Sequence, residues 1–276
     1  MFETMENVFL KSTLRGRRLG LAFLIVITCL AGCGGAQSKL PAAPATVFQN
    51  ATIDALLDGN YSGELTFEQL RQHGNFGLGT FDALDGEMVA LEGHFYQIRS
   101  NGSVYDVPGA ARTPFAVVSF FRPTDTGLRL DGPLSYGELQ RRLDALRSCD
   151  NHAFAFAVEG SFDLVRARSV PRQAEPYAPL AEVVKTQAVF ELKRVRGTLV
   201  GFWFPESLRH LNVPGYHFHF LTGDRSAGGH VLDLKMASGT ARVQELSVVE
   251  LALPKRAPTT RAATSNQSVE LRKVEQ

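Results

Sequence analysis

The chain is poor in cysteine and tryptophan and has no excess of charge of either sign. Its 29 Lys and Arg residues nearly balance 28 Asp and Glu residues, and the formal net charge is +1. A nucleic-acid partner is therefore not expected, because neutralising phosphates requires a basic excess. With 276 residues, 44% apolar and 21% charged, the composition is ordinary for a globular protein of one large domain or two small ones.

Long apolar runs are also missing. The run Leu19–Leu30 contains about a dozen residues, which is too short to cross a hydrocarbon layer of about 30 Å. Basic residues precede it, namely Lys11, Arg15, Arg17 and Arg18. The run ends in LAGC at residues 30–33, which resembles the bacterial lipobox. Residues 1–32 are therefore predicted to be a lipoprotein signal peptide, with Cys33 as the lipidated residue. An ordinary signal peptide cut near Ala31 and a short uncleaved anchor are the alternatives.

Lipidation of Cys33 would leave Cys149 as the one thiol of the exported chain, because Cys29 lies inside the predicted signal peptide. A single thiol excludes an internal disulfide, and Cys149 is interpreted as a small buried apolar residue. Residues 33–46 are small, polar and proline-containing, which is typical of a flexible tether. Residues 47–276 are predicted to form the folded domain. We expect an exported protein held at a membrane through its lipid anchor only, facing outside the cytoplasm.

Short runs rich in Val, Phe and Leu, separated by glycine and proline, predict strands along most of the chain. Capping-box sequences at Thr66–Gln69 and Ser135–Glu138 predict the first turns of short helices. Turns are assigned to Glu159-Gly160 and Arg196-Gly197, each between two predicted strands. The expected fold class is α+β, mostly antiparallel β-sheet, with two sheet units that share a core and a few short helices. A boundary between the two units is assigned to residues 171–180.

Three histidines near the end of the sequence form a pattern that suits metal binding. Alternation along a strand places His217 and His219 on one face. His230 begins the next predicted strand after the loop 222–229, and a hairpin would bring it beside the pair. Three neutral imidazoles with an open fourth position are typical of a catalytic zinc site. Another divalent metal such as iron, manganese or nickel would also fit, because affinity alone does not select the metal.

A bare His-x-His pair also has a simpler interpretation. In it, His217 and His219 lie on a solvated face and His230 caps a turn. The third histidine on an adjacent strand and the glycine-rich loop favour metal binding instead. The other histidines stand apart from this group and are interpreted as surface or hydrogen-bonded polar residues, namely His73, His94, His152 and His210.

Three histidines alone name no reaction, and several functions stay open at this point. One alternative is a different metalloenzyme on a β scaffold. An oxygenase would need redox-active iron, and a hydrolase would more naturally carry an H-E-x-x-H motif, which the sequence lacks. Another alternative is a non-enzymatic lipoprotein that binds a metal or a small ligand. Exposed strand edges would also permit a homodimer.

A long segment narrows these alternatives. The string GTLVGFWFPESLRHLNVPGYHFHFLTGDRSAGGHVLD, residues 197–233, closely resembles the alpha-acetolactate decarboxylase family. GLGTFDALDGE at residues 77–87 is similar to the family's N-terminal G-x-G-T-F-x-x-L-D-G-E. Further similar segments are YDVP at 105–108, RSVPRQ at 168–173 and PY at 176–177. The resemblance covers roughly residues 48–276. It does not include the lipobox, which a typical family member lacks.

The resemblance implies a site in this chain. The family's metal-binding histidines fall on His217, His219 and His230. Its catalytic positions fall on Glu87, Arg168 and Glu275. The match of Glu275 is the weakest of these, because the tail after the last predicted strand is short and Glu270 competes for the same role.

The implied reaction is the decarboxylation of 2-acetolactate, a small molecule, to acetoin and carbon dioxide. Loss of carbon dioxide leaves an electron pair that flows into the adjacent ketone. A chelated zinc ion would act as a Lewis acid and stabilise the resulting enediolate, so that no organic cofactor is needed. Arg168 is expected to orient the substrate carboxylate. Glu87 or Glu275 would complete the metal shell or deliver a proton to the product, and both assignments stay open.

Overall fold

The computed structural model describes residues 44–123 and 126–255. Within these residues the strands, numbered in chain order, are β1 (Thr46–Asn50), β2 (Leu65–Thr66), β3 (Phe76–Thr80), β4 (Glu87–Leu91), β5 (His94–Ile98), β6 (Val104–Asp106), β7 (Arg112–Thr113), β8 (Ala116–Ser119), β9 (Leu128–Ser135), β10 (Ala153–Ser169), β11 (Ala188–Phe204), β12 (Gly215–Thr222), β13 (Gly228–Leu246) and β14 (Val248–Ala252). The α-helices are α1 (Ile53–Leu57), α2 (Phe67–Leu70), α3 (Tyr136–Asp144) and α4 (Leu180–Val183). None of the helices in this part of the chain has the length and apolar character that crossing a membrane would require.

Two sheets make up most of the described fold. The first has seven strands in the order β14-β1-β8-β3-β4-β5-β6. The second has five strands in the order β10-β11-β12-β13-β9, and β10 also pairs with β13. Neighbouring strands are antiparallel except for β1 and β14, which are parallel. The predicted α+β class with mostly antiparallel sheet and a few short helices is confirmed.

The two sheets share one apolar core, as predicted. Side chains of both sheets meet in a single buried cluster, which includes Leu78, Val89, Val117, Ala155, Val200 and Phe202. A second cluster packs the outer face of the five-stranded sheet against α3. A third packs the outer face of the seven-stranded sheet against α2. Each sheet is therefore covered on both faces, and its inner face looks toward the other sheet.

Strand alternation decides which side chains enter the space between the sheets. On β4, Met88 belongs to the outer cluster beside α2, whereas Val89 belongs to the shared core. Glu87 is two residues before Val89 and therefore points between the sheets. On β12, Phe218 and Phe220 belong to the outer cluster beside α3. The histidines that flank Phe218 consequently point inward.

Both predicted capping boxes are present. The Thr66 side chain accepts a hydrogen bond from the Gln69 backbone N–H, and the Gln69 side chain accepts one from the Thr66 backbone. Ser135 and Glu138 make the same reciprocal pair at the start of α3. These contacts satisfy backbone donors that the first helical turn leaves without partners.

The turns predicted at Glu159-Gly160 and Arg196-Gly197 are wrong. Both positions lie in the middle of long continuous strands, β10 and β11. Gly160 stands opposite Gly197 on one side and Gly239 of β13 on the other. None of these three glycines has a positive φ, which a two-residue hairpin turn would need. They serve instead to let three strands approach closely, because a Cβ on Gly160 would lie 2.3 Å from the Ser238 carbonyl oxygen.

The division between the two sheets also differs from the predicted position. Residues 171–180 follow β10 and end at the start of α4, and the strands on either side of them, β10 and β11, belong to the same sheet. The chain changes sheet after β8 and again after β13. The signal peptide, residues 1–32, lies outside the described residues and stays a prediction, and so does the tether, of which the structure describes only the end.

The close approach at Gly160 leads to a stability prediction. We expect Gly160→Ala to lower the free energy of unfolding by about 1–3 kcal/mol, because the new methyl group overlaps backbone atoms of β13. Gly137→Ala is the matched control, since a Cβ there would lie no closer than 3.8 Å to its nearest non-bonded neighbour, Arg141 Nη1. Urea unfolding of the two variants measures the difference. Equal stability of the two variants would contradict this account of the glycine row.

Candidate metal centre and active site

The three predicted metal-binding histidines meet between the two sheets. His217 and His219 point inward from β12, and His230 on β13 stands directly opposite His219. One ring nitrogen from each lies within 4.8 Å of the other two, and all three side chains are buried. His217 Nε2 is 3.1 Å from His230 Nδ1. The arrangement therefore offers three imidazoles to a single point.

A backbone contact orients His219. Its Nδ1 lies 2.8 Å from the Met88 carbonyl oxygen. Because a carbonyl only accepts, Nδ1 carries the proton and donates it, and Nε2 keeps a lone pair. A hydrogen bond of this kind on the far ring nitrogen is the usual support of a metal-binding histidine. Met88 belongs to the other sheet, so the contact also ties the two sheets together at this point.

The three imidazoles are neutral at neutral pH. Burial is the main cause and lowers the pKa of each of them, and the positive charge of Arg168 lowers each pKa further. For His217 the pKa falls to about 3. A neutral imidazole has a lone pair for a cation and does not repel it, so protonation does not compete with metal binding near pH 7.

The residues fit a divalent metal. Nitrogen atoms bound at about 2.0–2.1 Å to one tetrahedral ion stand roughly 3.3 Å apart, which is close to the 3.1 Å between His217 Nε2 and His230 Nδ1. Three neutral imidazoles that bring one nitrogen each to a common point are the donor set of a catalytic metal site, so the triad is better suited to a cation than to a plain structural role.

A buried ion pair completes the polar part of the site. Arg168 Nη1 donates to Glu87 Oε1 at 2.8 Å, and both residues are 5% exposed. Arg168 on β10 stands opposite His230, whereas Glu87 comes from β4 of the other sheet. Glu87 Oε2 lies 3.6 Å from His219 Nε2. The carboxylate therefore lies between the guanidinium and the histidines.

These polar groups line one small cavity of about 40 Å³. The volume is enough for an ion and a few water-sized atoms. The rest of the wall is mostly apolar and is formed by Ile53, Leu56, Leu84, Phe115, Val170 and Leu180. An apolar wall around convergent polar groups is the usual form of a small-molecule site.

The structure thus places five of the predicted site residues together: Glu87, Arg168, His217, His219 and His230. Glu275 and Cys33 lie outside the described residues. Sequence reasoning missed the Met88 carbonyl, since a backbone contact between sheets leaves no signature in the residue type. It also missed Thr80, whose hydroxyl lines the site region and donates to the Gly86 carbonyl at 2.7 Å, which holds the turn before Glu87.

Comparisons with known proteins agree on one family. The family model described as alpha-acetolactate decarboxylase matches residues 47–264. The alpha-acetolactate decarboxylase of Methanosarcina mazei is 50% identical over 208 residues, which cover 75% of this chain and 72% of that protein. The one from Methylococcus capsulatus is 46% identical over 75% of this chain and 80% of its own length.

A solved structure agrees with the observed fold. The crystal structure of alpha-acetolactate decarboxylase from Bacillus subtilis strain 168 has a TM-score of 0.80 and 34% sequence identity, over 83% of this chain and 99% of that one. The matched region includes all five residues that meet in the cavity. On these matches, the chain belongs to the alpha-acetolactate decarboxylase family.

Proposed function

We propose that this protein is a carboxy-lyase that converts 2-acetolactate to acetoin and carbon dioxide with a divalent metal, zinc, at His217, His219 and His230. The observation that carries the proposal is the convergence of three neutral, buried imidazoles with a buried Glu–Arg pair in one cavity. Family membership supplies the reaction. The substrate carries a carboxylate, a hydroxyl and a ketone. Arg168 suits the carboxylate, and a metal held by the three histidines would suit the hydroxyl and ketone oxygens.

When bound, the metal supplies Lewis-acid stabilisation of the negative charge that the departing carbon dioxide leaves on the substrate oxygens. The three histidines would hold the metal without adding charge, because burial keeps them neutral. The apolar wall keeps bulk water from the reacting atoms, which strengthens every electrostatic contact inside.

Arg168 and Glu87 have separate roles in this proposal. Arg168 brings a positive charge to the cavity and attracts the substrate carboxylate, and its planar guanidinium fixes the orientation of that group. Its contact with Glu87 orients the glutamate toward the histidines. Glu87, a carboxylate in this ion pair, would first take the proton of the substrate hydroxyl and then return it to the carbon that carbon dioxide has left, and a proton from solvent restores the hydroxyl when the product leaves. Glu275 remains a predicted further acidic group at the site.

The first test uses His219→Ala in the full chain. We expect loss of one imidazole to weaken metal retention by more than about 100-fold, and acetoin formation to be lost with it. Elemental analysis gives the metal content, and acetoin is followed from racemic 2-acetolactate before and after chelation. In the unchanged protein, chelation should stop the reaction and zinc should restore it.

His94→Ala is the control for this test, because His94 is exposed on β5 and does not line the cavity. It should retain metal and activity. Full activity of metal-free His219→Ala protein would contradict the proposed role of the metal site. If the unchanged protein retains one zinc per chain but forms no acetoin, the proposed substrate is wrong and the proposed metal site stands.

A second test separates the two roles open to Glu87. Glu87→Gln keeps the shape and removes the negative charge, so we expect kcat to fall by about 10²- to 10⁴-fold while zinc content stays near one per chain. Glu92→Gln is the matched control, since Glu92 is an exposed carboxylate at the end of the same hairpin. Loss of zinc from Glu87→Gln, comparable to that in His219→Ala, would place Glu87 in the metal shell instead.

We also propose that residues 1–32 direct export and that a lipid on Cys33 holds the protein at a membrane. The support is the basic start, the short apolar run and the LAGC sequence. Cys33→Ala should abolish membrane retention of the full chain in cells, whereas Cys29→Ala should leave it unchanged. Cell fractionation and intact-mass measurement check this. An equal mature mass and membrane fraction for the two variants would overturn it. The homodimer stays a prediction.

A further inference from the structure

A second group of metal-binding side chains lies away from the catalytic cavity. Cys149 and His152 belong to the turn between α3 and β10, and Glu245 lies near the end of β13. One ligand atom from each lies within 4.8 Å of the other two. None of the three lines the catalytic cavity. His152 and Cys149 were interpreted from the sequence as a surface polar residue and a buried apolar one, and their meeting arises from the fold.

The turn that carries Cys149 and His152 is held from several sides. Arg147 within it makes ion pairs with Asp144 at 3.1 Å and Asp150 at 2.9 Å. Its guanidinium also stacks over the ring of Trp203, 3.8 Å from the centroid. These contacts fix the turn against the five-stranded sheet, so its side chains are presented in one arrangement.

Glu245 is held as a carboxylate beside this turn. Ser148 donates to its Oε2, and His152 Nδ1 contacts its Oε1. The hydrogen bond from Ser148, followed by that from His152, lowers the pKa of Glu245. An ionised carboxylate that a second side chain orients is a suitable metal ligand.

We propose that Cys149, His152 and Glu245 bind a second divalent cation of the thiophilic class, with zinc as the natural occupant. A thiolate, an imidazole and a carboxylate are all zinc ligands, and the sulfur favours soft or borderline metals over magnesium and calcium. His152 and Glu245 are each about 40% exposed in their side chains, so water can occupy the fourth position. This site lies beyond the proposed decarboxylase centre and does not depend on it.

Binding of the cation at Cys149, His152 and Glu245 releases protons from these side chains. The Cys149 thiol gives its proton to solvent on becoming a ligand, and the cation replaces any proton shared between His152 and Glu245. The ion then links the turn after α3 to β13, two segments that lie almost one hundred residues apart in the sequence. Its effect is therefore structural, since it closes a long loop of the chain.

Cobalt distinguishes the two sites, because the histidine triad contains no sulfur. The full chain carrying Cys29→Ala and Cys33→Ala keeps Cys149 as its one thiol. On titration with Co²⁺ we expect a thiolate-to-cobalt charge-transfer absorption in the near ultraviolet, whose final intensity corresponds to one thiolate-bound cobalt ion per chain when both sites are filled. Cys149→Ser in this background should abolish that absorption and leave acetoin formation with zinc unchanged. His219→Ala should keep the thiolate-to-cobalt absorption and lose acetoin formation.

Matched variants test the other two ligands. His152→Ala and Glu245→Gln should each weaken cobalt binding at this site by at least about tenfold. Asp163→Asn should leave it unchanged, because Asp163 is an exposed carboxylate of β10 that lies outside the cluster and outside the contacts that hold the turn. Absence of the thiolate absorption from folded protein, as judged by circular dichroism, would overturn the proposal. Its persistence in Cys149→Ser would do so as well. In either case the cluster is a hydrogen-bonded group only.

Discussion

The buried contact between Glu87 and Arg168 is the interaction on which the site depends. It joins the two sheets where the three histidines converge, and both partners are almost fully buried. Removing one partner of such a pair typically costs about 3–5 kcal/mol, whereas replacing both with apolar residues is often neutral or favourable. Stability alone therefore does not account for charges at this position. Their placement beside three neutral imidazoles points to chemistry, since a charged pair next to a cation site can bind and protonate a charged substrate.

The three histidines are neutral because they are buried between the same two sheets. Burial lowers their pKa values, and the nearby guanidinium acts in the same direction. The Met88 carbonyl then selects the tautomer of His219. Packing of two apolar sheets thus provides both the dry surroundings and the backbone contact that a metal centre requires. The site is a consequence of how the sheets face each other, and neither sheet contains it alone.

Long strands connect the catalytic cavity to the second group of polar side chains. β10 starts beside the turn of Cys149 and ends near Arg168, so one continuous element connects the two groups of polar side chains. Continuity depends on the glycines at positions 160, 197 and 239, which let three backbones approach more closely than a side chain would allow. Sequence reasoning assigned turns there because glycine next to a polar residue is typical of hairpins. Extended backbone and close packing require glycine just as strictly, and residue type alone does not separate the two cases.

The sequence by itself determined the fold class, the helix starts at Thr66 and Ser135, and the pairing of His217 with His219 on one face. Each of these follows from local rules, because strand alternation and helix capping act over a few residues. Strand order and the length of the intervening loop added His230 to the pair, and the resemblance to one family added Glu87 and Arg168 as members of the site. Only the tertiary structure decided that Glu87 and Arg168 form a buried ion pair, that Met88 orients His219, and that Cys149, His152 and Glu245 meet. These contacts join segments about 80 to 130 residues apart, and they depend on sheet register and packing, which no local pattern specifies.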